Sequence, residues 1–170
     1  MPISSSVQAL AAAVIMSTVV SLGCAQEAPP AAGAAAYIQG VTGHGQPNEQ
    51  TLEQINAAGY AAVIDLRGPE ENRGLADERA TVEGLGMSYI PLPIVGEGAI
   101  NFDNANELDQ LLAQFDKPVF VHCGSGNRAG ALLALRARLN GADDETAVEA
   151  GRETGLAGLE DVVRQRLQER

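Results

Sequence analysis

Three short apolar runs alternate with segments of helical spacing, and this alternation constrains the fold more than any other feature of the sequence. The runs are 61–66, 87–92 and 118–122, and each is bounded by Gly or Pro. Strands that are apolar on both faces are typical of a parallel sheet covered by helices. The sequence therefore predicts an α/β fold with a mainly parallel central sheet flanked by helices.

The intervening segments predict the covering helices. Asn48 is a suitable N-cap for a helix that runs to Ala58, and Gly59 is suited to end it. Pro91 predicts that the second apolar run lies at a sheet edge or ends early. Further helices are expected over 75–83, from 102, from 128 or 129, and as a pair after 144 joined near Gly155.

The first 25 residues have the composition of an export signal. Residues 7–23 are nearly all apolar and uncharged, which fits a signal segment better than a membrane span of about 20 apolar residues. Cleavage after Ala25 and lipidation of Cys24 both fit this segment, although no basic residue precedes the apolar run. We therefore expect a signal peptide or lipoprotein signal over 1–25, a flexible linker over 26–36 and one folded domain over 37–170. The domain would then be exported, either periplasmic or tethered to the membrane through a lipidated Cys24.

The charge balance limits the partners. The formal net charge is -11, and the basic residues are ten arginines and a single lysine, Lys117. Such a chain repels nucleic acid, and no basic stripe offsets the repulsion. We expect no nucleic-acid partner, and any small anionic substrate must be captured by local groups.

The run 121–128, Val-His-Cys-Gly-Ser-Gly-Asn-Arg, joins an apolar strand to a helix. Gly124 and Gly126 permit a loop whose N–H groups converge on an anion, and the following helix adds the positive end of its dipole. A guanidinium at Arg128 adds two-point recognition of oxygens. These groups favour a thiolate at Cys123 and predict Cys123 and Arg128 as catalytic residues, with Gly124, Ser125, Gly126 and Asn127 binding the substrate.

Each of these residues also has a purely structural interpretation. Cys123 could be an inert core cysteine, although that does not explain the glycines and the arginine beside it. Ser125 suits a turn and Asn127 a helix N-cap. His122 is expected to support the loop rather than act as a general base, because strand alternation directs it away from the face of Cys123. Arg67 is expected in a surface salt bridge, and His44 and Gln46 are weak candidates for the pocket.

No cofactor or metal is predicted. His44, His122 and Cys123 do not have the spacing of a metal-binding set. The sequence also lacks a phosphate-binding Walker loop, a dinucleotide fingerprint and a serine-centred nucleophile elbow.

Residues 37–156 resemble a bacterial family of phosphatase-like domains that are sometimes fused to metallo-β-lactamase-type hydrolases and are related to dual-specificity and protein tyrosine phosphatases. The stretches that carry the resemblance are 45–47 (Gly-Gln-Pro), 63–67 (Val-Ile-Asp-Leu-Arg), 121–130 and 147–156, which ends in Thr-Gly-Leu. The resemblance implies a protein tyrosine phosphatase-like α/β fold, with Cys123 as nucleophile and Arg128 as oxyanion binder.

Three departures from true protein phosphatases keep the chemistry open. Four residues rather than five separate Cys123 from Arg128, Ala129 replaces a hydroxyl residue, and Val95 stands where the general-acid aspartate belongs, with Glu97 and Asp103 as the nearby carboxyls. The short loop resembles that of rhodanese-type sulfurtransferases. We therefore carry three hypotheses: a phosphatase-like hydrolase acting on phosphoesters, a sulfurtransferase with a Cys123 persulfide, and a non-catalytic anion-binding or redox-sensing module.

Overall fold

Four parallel strands form the central sheet in the computed structural model, which describes residues 32–169. Their order is β1-β4-β2-β3, and every pairing between neighbours is parallel. The strands are β1 (Val41–His44), β2 (Ala62–Asp65), β3 (Ser88–Pro91) and β4 (Val119–His122). The sheet is thus parallel throughout the described residues, and β3, which contains Pro91, is an edge strand as predicted.

Within residues 32–169 there are seven helices, one before the first strand and six between or after the strands. They are α1 (Ala34–Tyr37), α2 (Glu49–Ala57), α3 (Glu78–Gly84), α4 (Phe102–Leu112), α5 (Asn127–Leu139), α6 (Asp144–Glu153) and α7 (Glu160–Gln168), and a short 3-10 turn spans Glu97–Ala99. Asn48 caps α2 as predicted, since its side chain accepts the N–H of Thr51 at 2.8 Å.

The helices cover both faces of the sheet. Ala62 and Ile64 of β2 pack with Val119 and Val121 of β4 against a cluster that includes residues of α4, α5, α6 and α7. Val63 and Phe120 point to the opposite face, where α2 and α3 close a smaller apolar cluster. The expected α/β architecture is confirmed, with two cores separated by one sheet.

Three boundaries differ from the expectations. Residues 34–36, expected at the end of the linker, form most of α1, whose Tyr37 carbonyl accepts Arg136 Nη1 at 2.7 Å. The helix expected from Leu75 begins only at Glu78, because Asp77 provides its N-cap. Strand β1 was not predicted, since a four-residue Val-Thr-Gly-His segment has no long apolar run and is stabilised by pairing with β4.

None of the helices within residues 32–169 has the length and apolar character needed to cross a membrane. The expected export signal, Cys24 and linker residues 26–31 lie outside the described residues.

Candidate active site

The run 121–128 lies where β4 ends and α5 begins. This is at the carboxyl end of the parallel strands, where ligands of parallel α/β folds bind. Cys123 follows β4 directly, and its N–H donates to the carbonyl of His44 at the end of β1. Its Sγ accepts the N–H of Gly126 at 3.1 Å. The residue is only 1% exposed. The backbone of Cys123 is therefore tied to β1, and its sulfur to the N-terminus of α5.

Gly126, rather than Asn127, is the N-cap of α5. Gly126 has φ +91°, a left-handed conformation that favours glycine, and α5 begins at Asn127 without a side-chain cap. The prediction that Asn127 caps the helix is therefore wrong. Its Oδ1 instead accepts the N–H groups of Ala157 and Leu159, at 2.9 and 3.2 Å, and so fixes the connection between α6 and α7 beside the loop.

Two other glycines allow backbone to approach the loop closely. A Cβ on Gly45 would lie 3.3 Å from the carbonyl oxygen of Gly124, and a Cβ on Gly155 would lie 3.0 Å from that of Gly126. Gln46 N–H donates to the Gly124 carbonyl at 3.1 Å. These contacts give a structural reason for the Gly-Gln-Pro and Thr-Gly-Leu stretches, since both support the loop from outside.

The side chain of Arg128 makes several hydrogen bonds to other segments of the site. Its Nη1 donates to Glu71 Oε1 at 2.6 Å and to the carbonyl of Ile94 at 2.9 Å, with a longer contact to the carbonyl of Leu66. Its Nη2 donates to Glu71 Oε2 at 2.5 Å. The hydrogen bonds from Glu71 raise the pKa of Arg128, burial opposes this, and the nearby Cys123 adds to the increase. The guanidinium is thus positively charged and fixed at its outer edge.

Glu71 was not identified from the sequence. Its carboxylate accepts both Arg128 bonds and the N–H of Gly68 at 2.7 Å. The bonds from Arg128 lower the pKa of Glu71 from 4.5 to about 2. It stands 57 residues from Arg128 in the chain, in a loop with no motif, so no local signal marks it.

A cavity of about 300 Å³ opens beside the loop. Ser125, Asn127 and Arg128 line it together with four residues from other segments, Glu71, Gly96, Glu97 and Leu159. Cys123 is not part of the lining, and neither are His44, Gln46 and Asp103. Asp103 lies in the first turn of α4. The structure therefore brings together Arg128, two of the four predicted substrate-binding residues and one of the two nearby carboxyls.

His122 lies on the other face of the sheet from Cys123 and belongs to a buried charge network. Its Nε2 is 2.8 Å from Glu78 Oε1 and 3.8 Å from Asp65 Oδ1. Neither Glu78 Oε1 nor His122 Nε2 has a hydrogen-bond partner of suitable geometry within the described residues. His122 Nδ1 faces the Cys123 carbonyl at 3.4 Å, which connects the network to the backbone of Cys123.

Arg67 is the centre of this network, and the prediction of a surface salt bridge for it is wrong. Arg67 is 1% exposed and donates to Asp65 through Nε and Nη2, and to Glu78 through Nη2. Burial alone would raise the pKa of Asp65, but the bonds from Arg67 and Tyr89 outweigh it and hold that pKa at about 2. The side chain is buried because both of its carboxylate partners are buried with it.

Asp65, Glu78 and His122 place three potential metal-ligand atoms within 4.8 Å of one another, a group that the sequence did not reveal. Arg67 and Arg73 already neutralise the two carboxylates, since Arg73 Nη1 donates to Asp65 Oδ2 at 2.5 Å. A cation placed there would face two guanidinium groups. We therefore interpret the cluster as an arginine-neutralised support for the loop, not as a metal centre.

Comparisons with known proteins agree on one family. A family model described as DSP-PTPase phosphatase fused to NAD+ kinase matches residues 18–163. The beta-lactamase hydrolase-like protein of Xylella fastidiosa is 33% identical over 109 residues, and that of Agrobacterium fabrum is 29% identical over 108. Each match covers 62% of this chain and 25% of the relative, so the chain spans about a quarter of the length of the curated relatives it matches.

Solved structures share the fold. A Neisseria meningitidis protein described as a candidate phosphatase superposes with a TM-score of 0.62 at 23% identity, covering 74% of this chain and 89% of that one. PTPMT1 in complex with PI(5)P superposes with a TM-score of 0.56 at 18% identity, covering 74% and 88%. These findings confirm the predicted protein tyrosine phosphatase-like α/β fold and the predicted family resemblance.

Proposed function

Because the chain belongs to the family of DSP-PTPase phosphatases fused to NAD+ kinase, we propose that it is a phosphatase-like hydrolase that acts through a thiolate at Cys123. The observation that supports this most is the environment of the sulfur. Cys123 Sγ accepts the N–H of Gly126 at the N-terminus of the 13-residue helix α5, next to the guanidinium of Arg128. A hydrogen bond, a helix dipole and a fixed cation all stabilise a thiolate over a thiol.

The donors of Arg128 suggest how it would hold the transferred group. A guanidinium has five N–H groups, and Glu71 and two carbonyls occupy the Nη1 side and one N–H of Nη2. Nε–H and the second Nη2–H remain, on the edge nearer Cys123. Those two donors form a fork suited to two oxygens of a phosphoryl group. In this proposal Glu71 orients the guanidinium and does not compete with the substrate.

The reaction would proceed in two displacements. The Cys123 thiolate attacks phosphorus, an S–P bond forms, and the bond to the ester oxygen breaks with its electron pair on the leaving group. The N–H groups of Gly124, Ser125 and Asn127, together with Arg128, bind the equatorial oxygens, while the Gly126 N–H stays on the sulfur. Water then attacks the phosphocysteine, which releases phosphate and restores the thiolate.

The loop following β3 bears on the choice of leaving group. Val95, at the position of the expected acid, is 65% exposed and has no proton to give. Esters with weakly basic leaving groups, such as aryl phosphates, need little protonation as they depart. We therefore expect aryl phosphates to be better substrates than alkyl phosphates.

A sulfurtransferase is the second candidate, and the four-residue spacing between Cys123 and Arg128 favours it. Here the thiolate would attack the outer sulfur of thiosulfate, an S–S bond would form, and sulfite would leave with the electron pair. Cyanide would then take the outer sulfur and regenerate the thiolate. Sulfite is a weak base, so this route needs no general acid.

A paired assay separates the candidates. The purified chain is tested for phosphate release from p-nitrophenyl phosphate and for thiocyanate formation from thiosulfate and cyanide. We expect phosphate release that is lost in Cys123→Ser and retained in the matched variant Cys24→Ser. Turnover of thiosulfate without phosphate release would overturn the leading proposal. If the chain shows neither activity but is stabilised thermally by anions, and if this stabilisation is lost in Arg128→Ala, the chain is a binding module.

We also propose that the chain is exported and tethered by a lipid on Cys24, on the basis of the apolar segment 7–23 and the small residues around Cys24. Cells expressing the chain are labelled with a fatty-acid analogue and fractionated. Label in the membrane fraction that disappears in Cys24→Ser is expected. A wild-type chain found unlabelled in the cytoplasm would contradict the proposal.

A further inference from the structure

We propose that the cavity beside Arg128 selects phosphoesters whose leaving group is neutral or cationic and discriminates against those that carry a second anionic group. This substrate class rests on the proposed function. It follows from three features of the cavity lining: Arg128 is its only arginine, Glu97 carries an unpaired carboxylate, and Leu159 is apolar.

Every arginine within the described residues is paired with a carboxylate. Arg67 and Arg73 pair with Asp65, Arg79 with Glu83, Arg128 with Glu71, Arg136 with Asp109, Arg138 with Asp144, Arg152 and Arg164 with Glu160, and Arg166 with Glu169. Arg128 is the only one of them that lines the cavity, and in the proposed function its remaining donors hold the transferred phosphoryl group, so no guanidinium of the lining is left to bind a second phosphate or carboxylate. Recognition of such groups depends on charge-assisted bonds from free cations.

Apart from these arginines and the two histidines, the described region has one basic side chain, that of Lys117, and it is far from the cavity. Lys117 precedes β4 and thus lies at the amino end of the sheet, whereas the cavity lies at the carboxyl end. The four residues of β4 separate the two ends by roughly 13 Å. That distance exceeds the Debye length at physiological salt, so Lys117 contributes little to the field in the cavity.

Glu97 gives the cavity an uncompensated negative charge. It lines the cavity, is exposed, and its side chain has neither an ion pair nor a hydrogen bond to another described residue. Glu71, the other carboxylate of the lining, is neutralised by Arg128. A leaving group that projects past Glu97 is therefore attracted if it carries an ammonium and repelled if it carries a carboxylate.

One large apolar side chain lines the cavity beside its polar and charged residues, and a second lies close to the lining in the chain. Val95 is the one large hydrophobic side chain exposed in the described part of the chain, and it is separated from Glu97 by a single residue. Leu159 lines the cavity and is fixed by the hydrogen bond from its N–H to Asn127. Leu159 favours a leaving group with a hydrocarbon or aromatic body, and Glu97 favours a positive charge on it.

Binding of non-hydrolysable phosphonates tests the inference independently of turnover. Phenylphosphonates with 4-aminomethyl, 4-hydroxymethyl and 4-carboxy groups are titrated into the wild-type chain by calorimetry at pH 8. We expect the ammonium compound to bind about tenfold more tightly than the carboxylate, with the neutral compound between them, and the ratio to shrink as salt is raised. Glu97→Gln should bring the ratio towards one.

Glu107→Gln is the matched control, because Glu107 is an exposed carboxylate on α4 outside the cavity lining, and this change alters net charge equally. It should leave the ratio as in the wild type. Equal binding of the three compounds, tighter binding of the carboxylate, no binding of any, or an unchanged ratio in Glu97→Gln would overturn the inference. If the three compounds bind in the expected order but the matching aryl phosphates are not hydrolysed, the proposed function is overturned and the inference about binding stands.

Discussion

The guanidinium of Arg128 and the carboxylate of Glu71 form a two-bond ion pair, with Nη1–Oε1 and Nη2–Oε2 distances of 2.6 and 2.5 Å. The pair joins the first turn of α5 to the loop that follows β2. It occupies one N–H of each terminal nitrogen and leaves Nε–H and the second Nη2–H of Arg128 free of Glu71. Glu71 is therefore a positioning residue in the proposed mechanism.

Replacing Glu71 by Gln tests this role. An amide retains one acceptor but loses the second charged bond, so Arg128 becomes less well oriented. We expect kcat to fall roughly tenfold, while the Kd of an inhibitory oxyanion such as tungstate changes less than about threefold. Steady-state kinetics and calorimetry provide the two readouts. A higher kcat together with tighter oxyanion binding would mean that Glu71 blocks the site instead.

We expect acid to lower the free energy of unfolding through Asp65, because the pKa of this residue, about 2, lies below its ordinary value of 3.8. A depressed pKa stabilises the fold above pH 3.8, and this contribution is lost as the pH falls towards 2. The free-energy difference between wild type and Asp65→Asn should therefore shrink by about 2 kcal/mol between pH 5 and pH 2. Urea unfolding at each pH measures it, and a difference that stays constant over this range would contradict the assignment.

Asn127 should act on substrate binding more than on chemistry. Asn127→Ala removes the acceptor for the N–H groups of Ala157 and Leu159, which releases Leu159 at the cavity rim. We expect a stability loss of about 1–2 kcal/mol and a rise in KM that exceeds the change in kcat. Asn127→Asp, which keeps the acceptor oxygen, should restore most of the stability. If Asn127→Asp is as unstable as Asn127→Ala, the tether is not the cause.

Gly130 marks the closest approach of α5 to α6. A Cβ there would lie 2.1 Å from the backbone nitrogen of Leu156 and 2.6 Å from the carbonyl oxygen of Gly151, so the two segments would have to separate. Gly130→Ala should cost about 3 kcal/mol or more, measured by urea unfolding. Gly84→Ala in α3 meets no atom within 4 Å and should be neutral or slightly stabilising. Similar stabilities for the two variants would contradict the close packing.

Local sequence predicted the elements that local physics controls. The apolar runs, the Asn48 cap and the glycine-rich run after β4 are determined by backbone preferences and periodicity, so the parallel α/β sheet and the position of Cys123 could be derived from them. Strand β1 could not, because it depends on pairing with β4. Asn127 was misassigned for a related reason, since Gly126 starts the helix and the asparagine side chain turns to a segment 30 residues away.

The sequence by itself determined the fold class and the position of the glycine-rich loop from Cys123 to Arg128, and only the tertiary structure decided which charges surround that loop. The chain has 22 acidic residues, and nothing local distinguishes Glu71 as the partner of Arg128 or Asp65 and Glu78 as the partners of buried Arg67. Ion pairs act over a few ångströms in space regardless of separation along the chain. They form where the parallel strands bring segments that are distant in the chain together at the carboxyl end of the sheet. This proximity exists only in the folded molecule.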